Sequence, residues 1–146
     1  MAEAPNLAQT LLSDLIGLSC TEVKKPSDWF WQFIFGKAEA VIGAEAYWRL
    51  IVNGKIAFGR DDDGQKFGLP EPLNGVTLCT KLLRDQRIKS FELRPDVSDL
   101  FVNFESGARL EIFNTSVGYE SWSYQGSNGK MMHALGGGDI AIFGSA

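Results

Sequence analysis

The sequence is short of the side chains that carry covalent chemistry. Among its 146 residues there is one histidine, His133, and two cysteines, Cys20 and Cys79. A Ser-His-Asp or Cys-His centre needs a histidine that a nucleophile reaches and an acid orients. No G-x-S-x-G elbow supplies such a nucleophile, and His133 in "KMMHALGGG" reads as a partly buried strand residue. The cysteines stand far apart, in neither metal nor redox spacing. Their apolar neighbours suit small core residues in a reducing compartment. One histidine and two scattered cysteines cannot assemble a four-ligand zinc site. The expectation is therefore no catalytic residue, no metal and no cofactor, and a protein that is more a binder than an enzyme.

Other deficits narrow the class further. No apolar run approaches the roughly 20 residues that span a bilayer. The first residues lack the basic and apolar regions of a signal peptide, which sets a cytoplasmic, non-membrane expectation. The net charge is −4, whereas a nucleic-acid binder needs an excess of Lys and Arg to displace counterions. A local basic stripe of Lys81, Arg84, Arg87 and Lys89 reads as a solvated helix face.

Aromatic side chains, in contrast, are plentiful: ten Phe, four Trp and three Tyr. They favour strands and each buries a large area. With 45% apolar and 22% charged residues, the chain has the composition of one globular domain, residues 1–146.

Leu7, Leu11, Leu12 and Leu15 form one helical stripe, which Asn6 would cap and Gly17 would end. From Leu18 the period becomes two. In "WFWQFIF" Trp29, Trp31, Phe33 and Phe35 share one face while Phe30 and Ile34 share the other, the pattern of a central strand covered on both sides. "AYWRLIVNGKIAFGR" is a hairpin, because Asn53-Gly54 suits a type I′ turn. A Pro-bearing polar loop follows, then a second helix over "VTLCTKLLRD" with Val76, Cys79 and Leu83 on one stripe. "RIKSFELRP" is a strand, "DLFVNFESGARLEIF" a second hairpin turning at Ser106-Gly107, and "YESWSYQ" and "DIAIF" are the last strands. The order predicts an α+β fold: a single antiparallel, strongly curled sheet built from hairpins and covered by an N-terminal and a central helix.

Two stretches mimic binding motifs. Asp61, Asp62, Asp63 and Gly64 resemble a calcium loop, but the closing Glu position is Pro72, so the run reads as a solvated turn. The glycines 136–138 lead into a β-branched run instead of a helix, so they form a turn and no phosphate cradle.

The one polar–aromatic constellation is "YESW", Tyr119 to Trp122. In a strand Glu120 and Trp122 share a face, and Arg49 or Arg109 on a neighbouring strand would pair with the Glu120 carboxylate between Trp48 and Trp122. This pair would either fix strand register or make a recognition pocket of aromatic walls, one acid and one guanidinium. Glu120, Trp122, Tyr119, Arg49, Trp48 and Arg109 are thus the candidate binding residues.

"DLFVNFESGARLEIF", "YESW" and "GGDIAIF" together resemble the C-terminal signature of a family of uncharacterised small bacterial proteins. That signature runs D-x-L, F-x-x-G-x-x-L, Y-E-[AS]-W and a G-G-x-[IL]-A-[VI]-[FW] ending. Some similar proteins are encoded near polymorphic toxin systems, so the resemblance implies a bacterial, immunity-like or accessory role. The leading functional expectation is a non-enzymatic module that binds another protein. The competing one is a small-ligand binder or unrecognised enzyme whose curled sheet encloses Trp29, Trp31, Trp48 and Trp122, with Glu120 and Arg49 as polar contacts. A third is a homo-oligomer paired through an edge strand.

Overall fold

The computed structural model describes residues 3–144. The curled single sheet predicted from the sequence is not what forms. The chain is mostly β, with two separate antiparallel sheets, neither strongly curled nor closed. The first holds six strands in the order β1 (Cys20–Ser27), β2 (Phe30–Phe35), β3 (Ala40–Ala44), β9 (Trp122–Gly126), β10 (Met131–Ala134) and β11 (Ile140–Phe143). The second holds five, in the order β5 (Lys55–Gly59), β4 (Trp48–Val52), β8 (Arg109–Ile112), β7 (Leu100–Phe104) and β6 (Ile88–Leu93).

The reason lies in where the large rings go. Trp31 and Phe33 of β2 meet Trp48 of β4 edge-on, with centroids 5.0 and 5.1 Å apart, and Phe58 of β5 lies 5.8 Å from Trp48. Edge-to-face rings at these distances are the favoured aromatic arrangement. Each sheet therefore buries its apolar face against the other sheet. The two helices are too short to cover a sheet: α1 (Glu3–Leu12) and α2 (Gly75–Leu83). They fill the margins instead. Leu11, Leu12 and Leu15 join the core, while Leu7 is exposed. The backbone of Asn6, expected at the helix start, lies within α1. Asn74 caps α2 by accepting from the Thr77 N–H, and Gly75 lies so near the core that a Cβ would stand 2.5 Å from the Phe58 ring and 2.7 Å from that of Trp31.

Several local expectations hold. Asn53 and Gly54 both have positive φ, 53° and 76°, at the β4–β5 turn. The β7–β8 hairpin turns at Gly107, φ 94°. Other expectations fail besides the sheet itself. β2 is next to an edge strand, and its outward residues Phe30, Gln32 and Ile34 are half-exposed. β3, which pairs β2 with β9, is absent from the predicted strands.

The Asp run is consumed by structure. Asp61 pairs with Arg60 Nε at 3.0 Å, Asp62 accepts from the Gly59 N–H at 2.8 Å, and Asp63 takes both the Gly75 N–H, 2.7 Å, and Lys25 Nζ, 2.8 Å. Among the described residues no cluster of three or more His, Cys, Asp or Glu is placed to hold a metal, and no helix is long and apolar enough to cross a membrane.

Two consequences are measurable. Trp31→Ala removes a buried inter-sheet ring and will cost about 3–5 kcal/mol in urea unfolding, whereas Trp29→Ala, at an exposed hairpin tip, will cost under about 0.5 kcal/mol. Burial opposes the charge of Asp63, but the hydrogen bond and charge of Lys25 and the Gly75 N–H outweigh it and hold the carboxyl below its ordinary 3.8. A depressed acid stabilises the fold above the unfolded value and loses that contribution as pH falls through the folded one. Asp63→Asn will therefore be less stable than wild type at neutral pH, and the gap will close well below pH 3.8.

Candidate functional site

The chain crosses between the sheets twice at the same end of the molecule. One crossing runs from β3 to β4 through Glu45, Ala46 and Tyr47, and the other from β8 to β9 through residues 113–121. The N–H groups of Glu45 and Ala46 both donate to the Ser121 carbonyl, at 2.9 and 3.2 Å, and tie the crossings together. The β1–β2 hairpin tip brings Trp29 to this end, and the turn after β5 brings Arg60. Between them lies a cleft of about 920 Å³ lined by Trp29, Glu45, Tyr47, Arg60, Tyr119, Glu120 and Ser121, among others.

Its walls are aromatic and open to solvent. Trp29, Tyr47 and Tyr119 are 72%, 51% and 83% exposed. Buried apolar contact does not hold Tyr119 in place; backbone does. Ser116 Oγ accepts from the N–H groups of Gly118 and Tyr119, at 3.1 and 2.9 Å, a turn that a short hydroxyl side chain makes with its own chain. The Gly137 N–H donates to the Ser116 carbonyl, and Asn114 Nδ2 donates to the Leu135 carbonyl at 2.9 Å. Gly136 packs directly on Gly118: a Cβ there would stand 2.5 Å from three backbone atoms of Gly118.

The cleft is acidic on one side. Glu120 Oε2 lies 3.4 Å from His133 Nδ1 on the outer face of β10. Glu45 has its carboxyl raised above the ordinary value by burial and then by the charge of Glu120, with His133 acting in the opposite direction. Arg60 is already engaged. Its guanidinium pairs with Asp61 and stacks 4.0 Å over the Tyr47 ring.

The structure divides the six residues singled out in the sequence. Tyr119 and Glu120 belong to the cleft, in the crossing that precedes β9 and not in a strand. Trp48 and Trp122 are 2% and 1% exposed and belong to the core, where Trp122 Nε1 donates to the Ser98 carbonyl at 2.7 Å. Trp31, also placed in the expected cavity, is 0% exposed. Neither arginine reaches Glu120. Arg49 and Arg109 both pair with Glu111, through Nε contacts of 2.6 and 2.8 Å to its two oxygens, on the outer face of the second sheet. Cross-strand register explains this: Arg49 stands opposite Glu111, and Arg109 lies two residues before it on the same strand, one step along the same face. Glu111 does there the register-fixing that the sequence suggested for Glu120.

Glu45, Tyr47, Arg60 and Ser121 escaped the sequence reading. Tyr47 stands beside Trp48 in a stretch read only as strand, and nothing local to Glu45 announces that its loop meets residues 115–121.

The remaining reactive groups are quiet. Burial pushes the thiols of Cys20 and Cys79 up to about 12, with the charge of Asp63 adding to the effect at Cys79, so both are protonated at neutral pH. His133 has an acid beside it, but among the described residues no hydroxyl or thiol hydrogen-bonds its ring. Comparison of the chain with family models, with curated proteins and with solved structures returned no match.

The backbone contact under Tyr119 gives a direct check. Gly136→Ala must push the 113–121 crossing away at a cost of about 1–3 kcal/mol. In amide NMR spectra its largest shifts will fall on Gly118 to Ser121, with the β4–β5 hairpin unmoved.

Proposed function

We propose that the chain is a non-enzymatic protein-binding module, immunity-like or accessory in the sense its family resemblance implies, and that the crossover cleft is its binding surface. The observation that carries this reading is the gathering of three solvent-exposed aromatic side chains, Trp29, Tyr47 and Tyr119, around one concavity. Exposed Trp and Tyr on a soluble chain forfeit burial, and Trp, Tyr and Arg are the residues that dominate binding hot spots. They come from three segments distant in sequence, and the surrounding backbone hydrogen bonds hold two of these segments, so little ordering is left to oppose association.

The non-enzymatic part rests on the chemistry of the available groups. The two thiols are held protonated, and the single histidine has an orienting acid with, among the described residues, no nucleophile on its ring. The competing cavity of Trp29, Trp31, Trp48 and Trp122 loses three of its four walls to the core.

The test is affinity capture with the wild-type chain and with a Trp29→Ala/Tyr119→Ala variant, using the products of neighbouring genes as prey. The expected result is a partner retained by wild type and lost by at least tenfold from the variant, whose urea midpoint stays near wild type. Equal retention by both removes the cleft from the reading.

A further inference from the structure

The cleft combines features that select one kind of occupant, and this step rests on its being the binding surface. Glu45 and Glu120 both line it, and among the described residues neither pairs with a lysine or arginine; the ring beside Glu120 is that of His133, which carries charge only when protonated. The arginine of the lining is occupied by Asp61 and by the face of Tyr47. Tyr47 thus already receives a guanidinium, the contact that an aromatic quadrupole favours. Trp29 and Tyr119 offer further ring faces that carry no cation among the described residues.

A second observation lies on the cleft floor. Ser121 lines the same concavity and is 1% exposed, yet its hydroxyl has no hydrogen-bond partner among the described residues. A buried hydroxyl without a partner costs free energy, and because its oxygen is closed to solvent an entering donor reaches it only when the lining shifts. The raised carboxyl of Glu45 points the same way, because burial and the charge of Glu120 both penalise its ionised form, and an incoming positive charge relieves that penalty.

We infer that the cleft takes a lysine or arginine side chain projecting from a partner protein, its aliphatic stem against Trp29 and Tyr119 and its charge facing Glu45 and Glu120. The charge complementarity commits the occupant. An anionic side chain would meet two carboxylates, and a purely apolar one would leave both carboxylates uncompensated.

The experiment titrates the isotopically labelled full chain with capped Gly-X-Gly peptides in which X is lysine, arginine, norleucine or glutamate, following backbone amides. Lysine and arginine peptides are expected to shift the amides of 45–47 and 118–121 at concentrations about tenfold below those needed for norleucine, with glutamate inert. The Glu45→Gln/Glu120→Gln variant is expected to lose that preference while its spectrum stays dispersed; the two single variants serve if the double one unfolds. Norleucine binding as tightly as lysine overturns the cationic assignment and leaves the cleft standing as a binding surface. Retention of the preference by the glutamine variants overturns the assignment as well. If no peptide moves these amides, the cationic assignment and the cleft fall together.

Discussion

Everything in this molecule depends on rings that meet across two sheets. Trp31, Phe33, Trp48 and Phe58 occupy the contact between β2 on one side and β4 and β5 on the other, Trp31 and Phe33 meeting Trp48 edge-on and Phe58 tilted beside it, a geometry that a fluid apolar core would not maintain. Because the sheets are joined there, the chain must pass from one to the other at the edge of that contact. It does so at Glu45–Tyr47 and again at residues 113–121. The crossings are a geometric consequence of the packing, and the cleft is the space between them.

The crossings are held by backbone more than by side chains. Ser121 receives two N–H groups from the first crossing on its carbonyl, Ser116 caps the second, and Gly136 lets two backbones touch where any Cβ would part them. This frees the side chains at the cleft from structural duty. Trp29, Tyr47 and Tyr119 can stay exposed because the core is complete without them, and the acids Glu45 and Glu120 can face the cleft because the register-fixing ion pairs are made elsewhere, by Glu111 with Arg49 and Arg109. A rigid frame with exposed aromatic and acidic groups is what a binding surface requires.

Much of the local structure was legible. The two-residue rhythm past Leu18 marks most strands, Asn53-Gly54 marks its hairpin, and the stripe Val76–Cys79–Leu83 marks α2. The assignment of strands to sheets was not, because alternation says which side chains point inward and nothing about which sheet supplies the opposite wall. One strand was lost for a related reason. In β3 the outward Gly43 is small because the Phe30 ring and Ser123 lie over it, within 2.6 Å of any added Cβ; that constraint is long-range and leaves a bland "AVIGA" in the sequence. At the site, "YESW" drew notice through its composition, but it joins a cleft residue, Tyr119, to a core residue, Trp122, only three positions on. Proximity in sequence suggested one cluster where the fold makes two.

The claim that the crossover end is the working surface is tested most directly by photo-crosslinking. Benzoylphenylalanine is placed at position 119 in one protein and at position 49, on the outer face of the second sheet, in another, and each is irradiated with the captured partner. The account predicts a covalent adduct from position 119 and none from position 49. An adduct from position 49 with none from 119 would contradict it.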